Sequence, residues 1–551
     1  MPLKLIEGKA PLTALNSLPL RAGQIRMDNE ALVCLAALLD DGIESHPARW
    51  EAAIRLAALT GRDAKGCKAA HCVFNMFLKQ GEDGAFLDME TEDMVQGVRA
   101  AWALYELEPQ KSLLKQMMDW CAWLAANWEA VMALPELRVR TGDLMALLCE
   151  LYRVTGRKAL LRLCEQLRRD GMDWSGVLHT FSVQRPMKRI IACKDIETGM
   201  AAEMGEPDGF YTRQYLTCHG ETLADGARAS LLNAIYSGNG SESTAVRVGW
   251  EKISRWHGAV CGGVTADETL AGNSPAAAID TASVGAWAET FAAQVTAQES
   301  AWACDALETL LVNAMPAALA DGVSAFQQVN NVCEAAYYRV SGDQPEHALS
   351  RLARGWTAAA HAAVTARNGG ADVNLLMPGQ YTMKPGDATV RLTLAGQDGE
   401  YTLKIAAKRD VKAALRIYIP AWTDDACIRV NDEGADEGHP GEYLLLERTW
   451  KDSDTVHISL ARKLRVAEGY HQSAAVLYGA QVMCHTGDNH AVALCGTPAL
   501  KDGAVVASLA PIDWKGDMPV LPQATGEAVE TVLVPYAQAK RRVAQFPRCK
   551  A

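Results

Sequence analysis

The feature that most constrains the fold is a change in the spacing of apolar residues near residue 370. From about Asp28 to Arg367 they recur at i, i+3, i+4 and i+7, the period of an amphipathic helix. After Asn368-Gly369-Gly370 they alternate with polar residues, the period of a half-buried strand. We therefore predict a multidomain α + β protein with a helical domain over 1–370 and a β-sandwich region over 371–551.

The helical part contains several long periodic segments that end near Gly, Pro or polar turn residues. They are Leu113 to Trp128, Leu144 to Val154, Ala159 to Leu167, Leu223 to Tyr236, Val284 to Val295, Trp302 to Met315 and Leu349 to Val364. Because short loops join them, they predict helical hairpins in a closed or stacked all-helical array.

The alternating segments after residue 370 are short and are separated by Gly, Asp and Asn. They are Thr389 to Leu394, Tyr401 to Ile405, Leu415 to Ile419 and Thr455 to Leu460. Strands of this length and spacing are typical of a β-sandwich. The C-terminal part is less regular, and we predict further strands and a returning tail there.

Composition and charge exclude several partners. The formal net charge is −12, and no run of Lys and Arg with interleaved aromatics suggests a nucleic-acid surface. No apolar stretch is long enough to span a membrane, and the N-terminus lacks the pattern of a secretory signal. The 15 cysteines form no C-x-x-C pair and indicate reduced thiols, so we expect a cytoplasmic protein.

Short motifs occur along most of the chain in a characteristic order. In the helical part they are Gly142-Asp143-Leu144, Leu151 to Gly156, Cys218-His219-Gly220-Glu221, Trp256-His257-Gly258, Asp267 to Gly272, Leu307-Glu308, Asn313 to Ala317, Gln327 to Asn330 and Arg354-Gly355-Trp356. In the β part they are Leu415 to Trp422 and Arg448 to Asp454.

In order and spacing these motifs resemble those of the β-L-arabinofuranosidase-type glycoside hydrolases. The resemblance implies an (α/α)6 barrel followed by β-sandwich domains, with the first ~20 residues packing on the sandwich. It also implies hydrolysis of a glycosidic bond in the mouth of the barrel.

The chain departs from this family at the cysteines that hold zinc and supply the nucleophile. The segment Ile279 to Ser283 stands where the family has Glu-x-Cys, so Asp280 replaces the Glu and Ala282 the Cys. The family's Cys-Cys pair is replaced by His347 and Ala348. Because Asp280 and His347 alone are too few ligands for zinc, we predict no metal and no cofactor.

Three carboxyl groups are candidates for catalysis. Glu268 matches the family's general acid/base position, and the alternative is a solvated loop carboxylate. Asp280 is either the second carboxylate of a metal-free pair or a helix N-terminal residue stabilised by the helix dipole. Glu221 replaces a family Asn and indicates a changed substrate or an additional acid or base.

Five further residues are candidates for substrate binding. His219 suits hydrogen bonding to sugar hydroxyls or orienting an acid, and Asp143 lies in a matching motif. His347 is a replacement base or an ordinary helix-surface residue. Arg351 replaces a family Asn and either faces an anionic sugar substituent or pairs with Glu346 or another surface carboxylate. Trp356 follows the site segment, although most tryptophans in such barrels are packing residues.

We therefore predict a glycoside hydrolase-like protein that acts on a small glycoside or oligosaccharide, related to L-arabinofuranoside, by metal-free acid/base chemistry. One alternative is a catalytically inactive sugar-binding or scaffolding paralogue. Another is a sugar isomerase, epimerase or lyase on the same barrel, by fold analogy. The sequence does not decide whether the protein forms a homo-oligomer.

Overall fold

The computed structural model describes residues 17–40, 42–86, 88–186, 217–267, 269–298, 300–320, 323–324, 327–331, 345–431, 433–539 and 541–549. The helices are α1 (Glu30–Asp40), α2 (Pro47–Leu59), α3 (Lys68–Leu78), α4 (Thr91–Leu107), α5 (Lys111–Ala126), α6 (Trp128–Met132), α7 (Pro135–Val139), α8 (Gly142–Thr155), α9 (Lys158–Asp170), α10 (Trp174–His179), α11 (Gly220–Ser237), α12 (Gly240–His257), α13 (Thr281–Gln298), α14 (Ala301–Thr309), α15 (Met315–Ala317) and α16 (Pro345–Ala363). A π-helical turn, Leu310–Ala314, joins α14 to α15.

Six of these helices close into a ring. Each packs against the next in the order α2, α4, α8, α11, α13 and α16, and α16 returns to α2. Helices α1, α3, α5, α9, α12 and α14 pack on the outside of this ring. The arrangement is the predicted (α/α)6 barrel, and each helical segment predicted from periodicity overlaps one or more of its helices, although the last of them ends at Val364, the first residue of β9.

The tightest contact in the ring joins α13 and α16. A Cβ added at Gly355 would lie 2.8 Å from the carbonyl oxygen of Gly285 and 3.1 Å from Cβ of Ala288. The two helix backbones therefore approach each other closely at Gly285 and Gly355, where a larger side chain would not fit. This approach carries the charged side chains of α16 to the barrel axis.

The first β-region consists of two sheets. One has the strand order β1-β9-β10-β14-β17 and the other β16-β15-β18-β13-β12-β11-β2. The bounds are β1 (Ser17–Pro19), β2 (Ile25–Arg26), β9 (Val364–Arg367), β10 (Gly370–Val373), β11 (Gly379–Met383), β12 (Val390–Gln397), β13 (Glu400–Ala407), β14 (Val411–Tyr418), β15 (Thr423–Val430), β16 (Ala435–Gly438), β17 (Tyr443–Trp450) and β18 (Thr455–Arg462). Alternation explains the sandwich, since Val390, Leu392 and Leu394 are buried while Arg391 is exposed.

Two N-terminal strands join this region. β1 pairs antiparallel with β9, and β2 pairs with β11. The prediction that the N-terminal residues pack on the sandwich concerns the first ~20 residues. Residues 1–16 lie outside the described part, so the structure shows this packing from Ser17 onward. The sheet that contains β1 also includes β9, which begins at Val364.

Among the described residues, the barrel also contains three short strand pairs near its loops. Their strands are β3 (Ala266–Asp267), β4 (Thr269–Leu270), β5 (Ala278–Asp280), β6 (Leu319–Ala320), β7 (Val323–Ser324) and β8 (Gln327–Val329). β3 pairs with β4, β5 with β8 and β6 with β7. The pair β5–β8 holds the residue before α13 in register, with Asp280 opposite Gln327.

The C-terminal part forms two further sheets around a smaller core. Their strands are β19 (Leu464–Glu468), β20 (Ala474–Tyr478), β21 (Gln481–Cys484), β22 (Val492–Leu494), β23 (Ala499–Lys501), β24 (Ala504–Pro511), β25 (Val529–Val532), β26 (Val534–Pro535) and β27 (Gln545–Phe546). The tail returns to the barrel, because the N–H of Ala544 donates to the carbonyl oxygen of Asn330 at 3.0 Å. Within the described residues no helix is long and apolar enough to cross a membrane.

The interface of barrel and sandwich contains a pH-sensitive carboxyl group. Glu308, on α14, accepts a hydrogen bond from Nε1 of Trp422 at 2.7 Å. Burial raises the pKa of Glu308, and the nearby Asp305 adds to this effect while the Trp422 hydrogen bond opposes it. The resulting pKa is about 8.

We expect the stability of the protein to fall as pH rises through this range. The folded pKa of Glu308 lies above the unfolded value, so the stability that this carboxyl group contributes is fully present below about pH 4 and is lost progressively as pH rises to about 8. Each pKa unit corresponds to about 1.4 kcal/mol, and we expect a loss of about 2–4 kcal/mol between pH 5 and pH 8. Glu308→Gln should flatten this dependence in denaturant unfolding, while Glu437→Gln at an exposed position should not. An unchanged pH dependence in Glu308→Gln would contradict the assignment.

Candidate active site

A cavity of about 190 Å3 opens at the end of the barrel where the inner helices begin. Its lining comes from the first turns of α2, α4, α8 and α16 and from the segment before α8, and it includes Ala48, Glu92, Gln96, Arg140, Asp143, His347 and Arg351. Helix N-termini carry partial positive charge, so this end of the barrel favours anionic and hydrogen-bond-accepting groups.

Glu221 lies at this mouth, in the first turn of α11, and is 2% exposed. Nε2 of His347 lies 2.7 Å from one carboxylate oxygen, and Nε of Arg351 donates to the other. A guanidinium nitrogen of Arg140 is 3.9 Å away. Burial alone would raise the pKa of Glu221, but the charges of His347, Arg351 and Arg140 hold its pKa well below the ordinary value. Glu221 is therefore an ionised carboxylate.

The preceding glycine permits this placement. A Cβ at Gly220 would lie 2.7 Å from the hydroxyl oxygen of Ser283 and 3.0 Å from Cβ of Ala266. The start of α11 therefore packs directly on the start of α13 and on β3. This contact joins the Glu221 segment to the Asp280 segment.

Asp280 ends β5 and precedes α13, and it is 5% exposed. Its two carboxyl oxygens accept hydrogen bonds from the N–H groups of Ala282 at 3.2 Å and Ser283 at 3.0 Å. Burial and the negative charge of Glu221 outweigh these N–H donors and together raise the pKa of Asp280 to about 7. Asp280 thus caps the helix and also holds a proton near neutral pH.

His219 is the residue before α11 and caps that helix. Its Nδ1 accepts from the N–H of Thr222 at 3.4 Å, and burial lowers the pKa of His219 to about 4. The ring is therefore neutral at pH 7 and carries its proton on Nε2.

Glu268 itself lies outside the described residues. Its neighbours Asp267 and Thr269 belong to the β3–β4 hairpin, and Thr269 pairs by a backbone bridge with His219. The paired strands β3 and β4 therefore lie beside the start of α11.

A network of buried charges fills the barrel axis beneath the mouth. Arg354 joins Asp143 and Glu289, with a guanidinium nitrogen 3.0 Å from the first and Nε 2.6 Å from the second. Each inner helix contributes to the network, which consists of Glu51, Gln96, Arg99, Asp143, Asp225, Arg228, Glu289, Arg351 and Arg354.

Asp143 belongs to this network and also lines the mouth cavity. Burial raises its pKa, but the charges of Arg354, Arg99, Arg228 and Arg351 outweigh burial and hold it well below the ordinary value. As an ionised group with several arginine partners, Asp143 is suited to positioning Arg351, which lies 3.7 Å away.

The remaining predicted residues, Arg351, His347 and Trp356, differ in their exposure and in their partners. Arg351 is buried, and the carboxylate with which it pairs is the buried Glu221 rather than one at the surface. His347 is exposed on the first turn of α16, and its Nε2 contacts Glu221; its role as a replacement base stays a prediction. Trp356 packs in the hydrophobic core with 4% exposure.

Sequence reasoning missed Arg140, Arg228 and Glu289. The sequence pattern that could have identified such a residue is a single charge on a helix that is otherwise uncharged and buried on all sides. Glu289 in α13 is an example. A charge in such a helix must be paired when it is buried.

The residues at the mouth do not suit the zinc-thiolate centre that the family resemblance implies. Ala282 and Ala348 offer no ligand atom, Asp280 is engaged by backbone N–H groups, and Nε2 of His347 contacts Glu221. Within the described part of the chain, no group of three or more His, Cys, Asp or Glu residues is arranged to hold a metal ion.

Comparisons with known proteins agree with the fold. Residues 370–462 match the family model of the GH127 β-L-arabinofuranosidase middle domain. A solved structure described as a glycoside hydrolase aligns with a TM-score of 0.75 at 14% identity, covering 97% of this chain and 98% of that one. The chain has no match among curated protein sequences.

Two solved GH127 structures are also similar. A β-L-arabinofuranosidase from Geobacillus stearothermophilus T6 aligns with a TM-score of 0.69 at 16% identity, covering 95% of this chain and 94% of that one. A second β-arabinofuranosidase aligns with a TM-score of 0.58 at 15% identity, covering 97% of this chain and 98% of that one. The resemblance to GH127-type proteins and the barrel-plus-sandwich fold are thus confirmed.

Proposed function

We propose that this divergent GH127-type glycoside hydrolase-like chain hydrolyses a small glycoside, related to L-arabinofuranoside, by metal-free acid/base chemistry at the barrel mouth. The observation that carries the proposal is the opposite perturbation of two neighbouring carboxyl groups. Glu221 is held ionised while Asp280 has a pKa of about 7. Environments that push two carboxyl pKa values apart are the arrangement that glycoside hydrolysis requires.

Each group then has a distinct role. Asp280, when protonated, donates its proton to the leaving glycosidic oxygen. Glu221, as a carboxylate, stabilises the positive charge that develops on the sugar and acts as base or nucleophile on its opposite face. His219 donates to a sugar hydroxyl, and His347, Arg351 and Asp143 position Glu221 and the substrate. Glu268 remains in the proposal as a further acid, whereas Trp356, which packs in the hydrophobic core, supports the barrel rather than contacting the sugar.

The substrate is expected to be small. A cavity of about 190 Å3 is smaller than the usual binding pocket for drug-sized ligands, and it suits one sugar unit better than a polymer. Short imported glycosides would also agree with a cytoplasmic location, which is part of the proposal, as is the absence of nucleic-acid and membrane partners.

A second candidate is a sugar-binding protein without turnover. The observation that favours it is that both oxygens of Glu221 already have close basic partners, Nε2 of His347 and Nε of Arg351. A carboxylate so engaged is a weaker base and nucleophile.

The test is hydrolysis of aryl furanosides and pyranosides, including aryl β-L-arabinofuranoside, with and without a chelator. Turnover that resists the chelator and is lost in Asp280→Asn supports the proposal. Turnover that the chelator abolishes contradicts it. Sugar binding without turnover on any substrate establishes the second candidate.

The charge of Glu221 should also appear in the pH dependence. We expect kcat/KM of the wild type to fall as pH rises above about 7, because Asp280 then loses its proton. Glu221→Gln removes the repulsion that raises the pKa of Asp280, so any residual activity should fall at a lower pH. The measurement is the pH profile of both proteins, with Glu92→Gln as a control at the same mouth. An unshifted profile in Glu221→Gln would show that the two groups are not coupled.

A further inference from the structure

The C-terminal tail brings two cysteines together away from the barrel mouth. The sulfur atoms of Cys495 and Cys549 lie 2.7 Å apart, and both residues are half-buried. Cys495 directly follows β22, and Cys549 lies near the end of the described chain.

The backbone fixes this approach. The N–H of Leu494 donates to the carbonyl oxygen of Pro547 at 2.8 Å, and the N–H of Cys549 donates to the carbonyl oxygen of Leu494 at 3.0 Å. Leu494 and Arg548 form a parallel bridge. The two cysteines therefore lie on adjacent backbone segments, within the separation that a disulfide can join.

Another described cysteine pair lacks this combination. Cys149 and Cys164 interact with each other but are fully buried between α8 and α9, where an oxidant has no access. Cys427 is half-buried on β15 and serves as a control of similar exposure.

We propose that Cys495 and Cys549 form a reversible disulfide that fastens the C-terminal tail, with a glutathione-type disulfide as the oxidant. One thiolate attacks the oxidant and releases one reduced thiol molecule. The second protein thiolate then attacks the mixed disulfide, forms the Cys495–Cys549 bond and releases the second. The two protein thiols together lose two protons and two electrons, and the oxidant gains them.

The disulfide would secure a segment that contacts the barrel. Asn331 pairs by a backbone bridge with Val543, and its side-chain amide donates to the carbonyl oxygen of Gln545 at 2.6 Å. Asn331 lies just after β8, the strand that pairs with β5 and holds Asp280 in register. Fastening the tail therefore restrains the strand pair β5–β8, whose last residue on β5 is Asp280.

The rate of disulfide formation should rise with pH. Burial and the neighbouring Cys495 raise the pKa of Cys549 to about 11, so little of it is thiolate near neutral pH. This property slows oxidation without preventing it.

The experiment treats the full chain with oxidised glutathione at about pH 8, blocks free thiols and maps cysteine-containing peptides by mass spectrometry. We expect a Cys495–Cys549 cross-link in wild type and Cys427→Ser, its loss in Cys495→Ser and Cys549→Ser, and its reversal by dithiothreitol. We also expect carboxypeptidase to remove the tail at least several-fold more slowly from the oxidised protein. Recovery of both wild-type cysteines as separate blocked or glutathionylated residues would overturn the proposal. Equal trimming of the oxidised and reduced proteins would overturn the fastening of the tail.

Discussion

Replacement of Asp280 by Asn is expected to lower glycoside turnover by about 10²–10⁴-fold, the usual contribution of a general acid. The amide cannot supply the proton that the pKa of about 7 allows Asp280 to hold. Its side-chain oxygen still accepts a backbone hydrogen bond, so Asn remains a good helix N-cap and the fold should persist. The measurement is kcat/KM on the best aryl glycoside of the panel, with thermal unfolding measured in parallel.

Asp173 provides a matched control. It also precedes a helix, α10, and its carboxylate accepts from the N–H of Gly176 at 2.9 Å, far along the chain from the mouth. Asp173→Asn should leave turnover unchanged. Full activity in Asp280→Asn would remove Asp280 from the catalytic machinery, whatever the stability of the variant.

Replacement of Arg354 by Met is expected to destabilise the protein by about 3–5 kcal/mol, because it leaves buried carboxylates without their partner. Arg354 is 4% exposed and contacts Asp143 and Glu289, with Glu51 3.9 Å away. The methionine fills similar space, so the loss reports charge rather than a cavity. Denaturant unfolding at pH 7 measures it.

An exposed arginine pair serves as the comparison. Arg448 and Glu433 are bidentate at 2.9 Å on the sandwich surface, where Arg448→Met should cost less than about 1 kcal/mol. Arg354→Met combined with Glu289→Gln should recover part of the stability, since fewer buried charges are then unpaired. Similar losses for Arg354→Met and Arg448→Met would contradict the claim that the axial network stabilises the barrel.

The fold was predictable because the two periods of the sequence reflect two different burial patterns. The segment Leu223 to Tyr236 repeats at helical spacing and lies in α11, and Thr389 to Leu394 alternates and lies largely in β12. The closure of six helices into a ring came from the family resemblance, since periodicity does not state which helices pack together.

The motifs marked Glu221, Asp280, His347 and Arg351, and the structure brings these four residues near one another. That they form a catalytic site stays a prediction. The opposite pKa shifts of Glu221 and Asp280 depend on burial and on charges from four helices or loops, including Arg140, which no motif marked. The residues that shift these pKa values are far apart in the sequence. The tertiary structure therefore determines the shifts, and local sequence patterns do not reveal them.

Asp280 is expected to hold a proton near neutral pH beside an ionised Glu221. An NMR titration of the aspartate carboxyl carbons, with Asp280→Asn to assign the signal, measures it without a known substrate. We predict a resonance that titrates near pH 7 in the wild type and is absent from Asp280→Asn. A signal for Asp280 that titrates near the ordinary aspartate value, about pH 4, would contradict the assignment of Asp280 as the acid.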